Sequence, residues 1–150
     1  MSTIARARRH STTPEETVSI GRGIGARLAV GLPDGAVVLL IGALGAGKTV
    51  MAKGIALGLG ISEQIVSPTY TIVSEYVTGT RPLHHIDLYR IERRDQLENL
   101  GLEDILRGNG IVVVEWGEKL ALSDGGHRIR VSIDLAADGG RAISIEGLPQ

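Results

Sequence analysis

The sequence predicts a three-layer α/β domain, with a mostly parallel central sheet and antiparallel hairpin strands added to it. Two continuous apolar runs, residues 35–41 and 110–114, are typical of buried parallel strands. The first run leads directly into a glycine-rich loop, and then into a helical pattern in which Met51, Ile55 and Leu59 stand four residues apart. A length of 150 residues leaves room for one such domain and one core.

The glycine-rich loop matches G-x-x-x-x-G-K-[ST], the pattern that cradles phosphate groups. It reads Gly42, Ala43, Leu44, Gly45, Ala46, Gly47, Lys48 and Thr49, with Val50 next in the helix. Glycines let backbone N–H groups turn toward an anion, the lysine supplies a charge for the β- and γ-phosphates, and the threonine hydroxyl can ligate Mg²⁺. The sequence therefore predicts a P-loop NTPase-like fold with a nucleoside triphosphate site.

The chain before this strand divides into a tail and a helix. Residues 1–12 hold several basic side chains without apolar periodicity, which favours a flexible solvated tail over an arm that contacts RNA. Thr13 fits a helix N-cap, Pro14 the first helical position and Glu16 the acid of a capping box. Residues 13–150 are accordingly predicted to form a single domain. The glycines at 21, 23 and 25 are no dinucleotide fingerprint, because they follow a helix start and not a strand.

The chain after the loop helix alternates between hairpins and short helices. Gly58 and Gly60 fit the end of the loop helix. Residues 72–77 and 83–89 are predicted to pair as an antiparallel hairpin, residues 95–106 to form a helix interrupted at Gly101, and residues 127–135 and 141–145 to form a second hairpin. The hydroxyl-rich stretch 67–71 fits either a γ-phosphate switch or an ordinary strand entry.

Two acids follow apolar strand residues and are candidates for metal chemistry. Glu115 ends the second apolar run, where this class of fold places an acid beside the phosphate loop. Asp87 is flanked by apolar residues in the first hairpin, from where it could orient an attacking water or bind Mg²⁺ through water. Trp116 fits either a core position or a partner contact. The spacing around Arg141 favours a solvated arginine.

Composition narrows the functional classes. The formal net charge is −1, which gives no strong electrostatic case for autonomous binding to DNA or RNA. No cysteine occurs, no apolar stretch approaches about 20 residues, and the basic N-terminus lacks the apolar segment of a secretory signal. We therefore expect a cytoplasmic protein without a membrane span.

Five short motifs resemble, in order and spacing, those of the TsaE family, the bacterial ATPases of tRNA threonylcarbamoyladenosine synthesis. They are Leu44-Gly-Ala-Gly-Lys-Thr49, Ser67-Pro-Thr-Tyr70, His85-Ile-Asp-Leu-Tyr-Arg90, Leu100-Gly-Leu-Glu103 and Val114-Glu-Trp116. The resemblance spans residues 13–141. It implies an ATPase that uses ATP and Mg²⁺ and works with the TsaD–TsaB pair, which transfers a threonylcarbamoyl group to adenosine 37 of tRNA. The chain would be the motor or reset component, and would meet tRNA only through that pair.

The resemblance also implies roles for single residues. Thr49 is similar to the Mg²⁺ ligand of the loop, Glu115 to the acid near that metal, and Asp87 to the acid needed for hydrolysis. Thr69 stands where the family has its switch threonine. Thr13 and Arg141 resemble positions that flank the nucleotide, although the turn before Arg141 is one residue longer than is usual in the family.

Three other functions compete with an ATPase. A small-molecule kinase needs a lid and converging arginines, but the chain between residues 60 and 110 is short, and Arg90, Arg93 and Arg94 lie in or after the hairpin. A GTPase would need D-x-x-G and N-K-x-D, and neither motif is present. A binding module with little turnover is the third, and the two acids argue against it.

Overall fold

The computed structural model describes residues 6–68, 70–120 and 127–149. Within those ranges, seven strands form one sheet in the order β1-β7-β6-β2-β5-β4-β3. The strands are β1 (Arg6–Ser11), β2 (Ala36–Ile41), β3 (Val73–Tyr76), β4 (Leu83–Asp87), β5 (Ile111–Glu115), β6 (His127–Leu135) and β7 (Arg141–Glu146). The α-helices are α1 (Pro14–Val30), α2 (Lys48–Gly58), α3 (Arg94–Asn99) and α4 (Glu103–Arg107), and a 3-10 turn covers Gly117–Lys119.

The sheet is mixed, with a parallel centre and antiparallel edges. Strands β6, β2, β5 and β4 run parallel, whereas β3, β7 and β1 pair antiparallel with their neighbours. The three parallel pairings form the centre of the sheet, which confirms the predicted parallel core with antiparallel strands added, and the three antiparallel pairings make the whole sheet mixed. Because β2, β4 and β5 are parallel, their carboxyl ends meet at one edge, where α/β sheets bind ligands.

The N-terminal segment departs from the predicted flexible tail. Arg6–Ser11 forms β1 and pairs along its whole length with β7, with Arg6 opposite Glu146 and Ser11 opposite Arg141. The sequence of β1 has no alternation of apolar and polar residues, because an edge strand leaves most of its side chains exposed, and in β1 only Ser11 is fully buried. The tail prediction is therefore wrong for residues 6–11, while residues 1–5 lie outside the described ranges.

Strand β2 shows why the domain has three layers. Val38 and Leu40 belong to a core cluster that includes residues of α1 and α2, such as Leu28 and Ile55. The alternate side chains of the same strand, Val37 and Leu39, belong to a second cluster with Leu102 and Leu106 from the α4 region. Since successive strand residues face opposite sides of a sheet, α1 and α2 cover one face and the short helices cover the other.

Helices α1 and α2 cross at very close range because glycines line the contact. A Cβ atom on Gly25 would lie 2.1 Å from the Ile55 carbonyl oxygen, and one on Gly21 would lie 2.7 Å from that of Met51. Gly54 and Gly58 make the reciprocal approach from α2, where an added Cβ atom would lie 2.3 and 2.2 Å from backbone oxygens of α1. Gly58 is thus a packing residue and also the last residue of α2, as predicted. Leu59 is the C-cap, and Gly60 follows with a φ angle of 77°, as the predicted helix end requires.

The other local predictions agree with the structure. The Thr13 side chain caps α1 by accepting a hydrogen bond from the Glu16 N–H at 3.1 Å, while the Glu16 carboxylate turns back to the Thr12 N–H and hydroxyl. Both predicted hairpins are present, and the broken helical segment is α3 followed by α4. No helix in the described ranges is long and apolar enough to cross a membrane.

Candidate nucleotide and metal site

The loop between β2 and α2 is shaped to bind an anion. Gly45 and Gly47 have φ angles of 81° and 110°, which favour glycine, and a Cβ on either residue would meet no atom within 4 Å. Helix α2 begins at Lys48, and no side chain caps its N-terminus. Unpaired N–H groups at the positive end of a helix dipole, next to open space, form a site for phosphate oxygens.

Lys48 lies folded back over this loop. Its Nζ donates to the carbonyl oxygens of Gly42 at 2.6 Å and Ala43 at 2.8 Å, and lies 4.2 Å from the centroid of the Trp116 ring. Burial lowers the pKa of the Lys48 ammonium, although the charges of Glu115, Glu118 and Asp87 act in the opposite direction. A charged donor held among carbonyls and an aromatic face can move to a stronger acceptor such as a phosphate.

Both predicted acids stand beside the loop. Glu115, at the end of β5, accepts hydrogen bonds from the Thr49 hydroxyl at 2.9 and 3.0 Å to its two carboxylate oxygens. Asp87 is the direct register partner of Glu115 on β4, so the two side chains face the same side of the sheet. Each is at least 95% buried, with 3% of Glu115 and 4% of Asp87 exposed. The structure thus brings Lys48, Thr49, Asp87 and Glu115 into one group.

Asp87 is fixed by its own strand end. Its Oδ1 accepts the backbone N–H of Tyr89 at 2.8 Å, and the Ser67 hydroxyl lies 3.4 Å from Oδ2. The second contact joins β4 to the hydroxyl-rich stretch singled out in the sequence. Thr69, the candidate switch residue of that stretch, lies outside the described residues.

A cavity of about 250 Å³ opens on the other side of the loop. Its walls come from the β1–α1 junction, the phosphate loop and the β6–β7 turn: Ser11, Thr12, Thr13, Pro14, Thr17, Gly45, Ala46, Gly47, Val50, Gly139, Gly140 and Arg141. Arg141 donates from Nε to the Ala46 carbonyl at 2.8 Å and from Nη2 to that of Gly45 at 3.3 Å. Arg141 therefore links β7 to the loop by hydrogen bonds, and is not the solvated side chain that the spacing favoured.

The residues present fit a magnesium ion held together with a phosphate ligand. No group of three or more His, Asp or Glu side chains with metal-binding geometry occurs in the described ranges. Mg²⁺ does not need one, since it is commonly held by one or two carboxylates, water and substrate phosphates. Thr49 offers a hydroxyl oxygen, and Glu115 and Asp87 offer carboxylates next to it.

Some site residues were not assigned by the sequence reasoning. His85 Nε2 lies 2.6 Å from Glu115 Oε2, with both side chains buried. The available signal was its position two residues before Asp87, which puts both on the same face of β4. Ser11 also belongs to the site. Its hydroxyl forms a hydrogen bond with the Thr17 hydroxyl at 2.7 Å on the cavity wall. The sequence did not indicate this role, because residues 1–12 are predicted to form a flexible tail.

The chain has clear similarity to known proteins. The family described as "Threonylcarbamoyl adenosine biosynthesis protein TsaE" matches residues 11–143. The tRNA threonylcarbamoyladenosine biosynthesis protein TsaE of Treponema pallidum is 40% identical over 90% of this chain and 96% of its own length. The protein of the same name in Bacillus subtilis is 40% identical, over 89% of this chain and 81% of its own length. The crystal structure of Bacillus subtilis YdiB superposes with a TM-score of 0.78 at 32% identity, covering 99% of this chain and 90% of that one.

Proposed function

The chain belongs to the TsaE family of tRNA threonylcarbamoyladenosine biosynthesis proteins, and from that premise we propose that it is a Mg²⁺-dependent ATPase with a P-loop NTPase type of site. Its role lies in the threonylcarbamoyladenosine modification of tRNA. We propose further that it acts with the TsaD–TsaB pair as the ATP-driven motor or reset component, that it leaves the transfer step to that pair, and that it works in the cytoplasm.

One observation carries the proposal of ATP hydrolysis. The Thr49 hydroxyl, the Glu115 carboxylate and the register-paired Asp87 lie together at the first turn of α2, whose N-terminus no side chain caps, beside the glycine-rich loop. Phosphoryl transfer requires positioned charges more than covalent chemistry from the protein. A site for binding alone would need the loop and Lys48, but not two buried acids, whose desolvation costs free energy.

The residues divide the work by their position. The loop N–H groups and Lys48 bind the β- and γ-phosphates of ATP. Thr49 and Glu115 would hold Mg²⁺, which would neutralise charge on those phosphates. Asp87, whose Oδ1 is oriented by the Tyr89 N–H, positions the attacking water and accepts its proton. Thr13, Val50 and Arg141 border the cavity that takes the adenine base.

The proposed partners would complete this site. The hydroxyl-rich stretch and the Trp116 end of β5 border Asp87 and Lys48, and both carry exposed apolar surface nearby, with Tyr70 84% and Tyr89 44% exposed. ATP bound at Lys48 would change the conformation of the hydroxyl-rich stretch and of the Trp116 end of β5, and hydrolysis would reverse that change. We propose that the ATP-bound form docks on the TsaD–TsaB pair and that hydrolysis releases it.

A binding titration tests the nucleotide part of the proposal. Trp116 is the only tryptophan in the chain, so its emission reports one position. Mg²⁺·ATP should give a saturable emission change, because phosphates draw the Lys48 ammonium away from the ring. Lys48→Ala should lower ATP affinity by about 10- to 100-fold, the weight of a charged hydrogen bond. Calorimetry is the second readout for Lys48→Ala, because this variant lacks the ammonium group whose movement would change the Trp116 emission. Equal ATP affinity of the two proteins would contradict the assignment.

A further inference from the structure

His85 is a buried polar residue that the proposed mechanism does not use. It lies in the middle of β4, fully buried, on the face of the sheet that α1 and α2 cover. The surrounding core is aliphatic, with Leu83 before it on the same face and Val113 as its register partner. An imidazole in such surroundings loses its hydration and must regain hydrogen bonds from the protein.

The one polar partner of His85 among the described residues is Glu115. Nε2 of the imidazole lies 2.6 Å from Oε2 of the carboxylate. The other ring nitrogen, Nδ1, is buried without a hydrogen-bond partner in the described part of the chain. An imidazole with its proton on Nε2 leaves only a lone pair unpaired at Nδ1, whereas an imidazolium would bury an unpaired N–H there. His85 therefore donates from Nε2 to Glu115.

This donation fixes the carboxylate that faces the loop. The Thr49 hydroxyl has one proton to donate, and its oxygen lies 2.9 and 3.0 Å from the two carboxylate oxygens of Glu115. That hydroxyl alone would let the Glu115 side chain rotate about its axis. With His85 holding Oε2 from the strand side, the carboxylate keeps both oxygens within hydrogen-bond distance of Thr49 in the first turn of α2.

We propose that His85 is a positioning residue for Glu115, and that it sets the Mg²⁺ affinity of the site by holding the carboxylate in its metal-facing orientation. The proposal rests on the proposed ATPase function. Loss of His85 would also leave the buried Glu115 carboxylate with one donor fewer, which lowers stability, so the test must separate metal affinity from stability. Partners that orient a metal ligand change metal affinity by about 10- to 100-fold when they are lost.

Three variants separate this role from a structural one. His85→Leu removes the donor and replaces the imidazole with an apolar side chain. The amide nitrogen of His85→Gln lies about as far along the side chain as Nε2 and can still donate to Glu115. The shorter side chain of His85→Asn has an amide nitrogen that cannot reach Glu115. Mg²⁺ is titrated into each protein saturated with ATP, and ATP is titrated separately in the presence of EDTA, with Trp116 emission and calorimetry as readouts. Thermal unfolding reports the stability of each variant.

We expect His85→Leu and His85→Asn to weaken Mg²⁺ binding by about 10- to 100-fold, with ATP affinity in EDTA unchanged. His85→Gln should stay near wild type. Should His85→Leu fail to fold, the difference between the Gln and Asn variants decides the matter. Wild-type Mg²⁺ affinity in the Asn variant, equal losses in the Gln and Asn variants, or an equal loss of ATP affinity in EDTA would overturn the proposal. A wild-type chain that binds no Mg²⁺·ATP would instead overturn the proposed function itself.

Discussion

Replacing Asp87 by asparagine is expected to lower ATP turnover by about 10²- to 10⁴-fold, the usual weight of a positioned general base, while ATP binding changes little. Asparagine keeps the Oδ1 atom that accepts the Tyr89 N–H at 2.8 Å, so the end of β4 retains its conformation. What it loses is the basic oxygen that takes a proton from water. Single-turnover hydrolysis and a calorimetric ATP titration on the same protein separate the two effects.

Asp134→Asn is the matched control for this experiment. Asp134 lies in the second half of β6 and is exposed, so the same chemical change there should leave hydrolysis unaltered. If Asp87→Asn hydrolyses ATP at the wild-type rate, the role given to Asp87 is wrong. If it loses ATP binding instead, Asp87 contributes to the binding site and not to the chemical step.

Gly25→Ala is expected to lower the free energy of unfolding by about 3 kcal/mol or more, the upper range for overpacking. The added Cβ would lie 2.1 Å from the Ile55 carbonyl oxygen, so the backbones of α1 and α2 would have to separate. Both helix N-termini border the site, α1 at the cavity and α2 at the phosphate loop. Urea unfolding followed by circular dichroism measures the loss, and weaker ATP binding should accompany it.

Gly23→Ala in the same helix provides the control. A Cβ at Gly23 would meet no atom within 4 Å, and the residue lies in the interior of α1. Alanine should therefore raise the free energy of unfolding by about 0.5–1 kcal/mol through its better helix propensity. Equal effects of the two substitutions would show that the close helix contact is not what Gly25 provides.

The sequence predicted the parts of this protein whose signal is local. The phosphate loop needs its glycines, Lys48 and Thr49 at fixed spacing, and a buried parallel strand leaves a continuous apolar run, as residues 36–41 do. Glu115 followed from the end of such a run. The cap of α1 at Thr13 followed from side-chain chemistry within four residues.

Features that depend on distant partners were missed. Strand β1 is defined by its pairing with β7, which no alternation in its mostly exposed side chains reveals. Gly25 and Gly58 looked like unrelated glycines until the helices that contain them were seen to cross. His85 and Glu115 are 30 residues apart, and only the adjacency of β4 and β5 brings them within 2.6 Å.

The most direct test of the account is ATP hydrolysis by the purified chain with Mg²⁺, measured alone and then with TsaD, TsaB and substrate tRNA, with Lys48→Ala as the blank. We expect slow turnover by the chain alone, a clear rise when the partners are added, and no turnover by the blank. A rate that ignores the partners, or radiolabelled phosphate that appears on a small molecule and not as free phosphate, would contradict the account and favour a kinase.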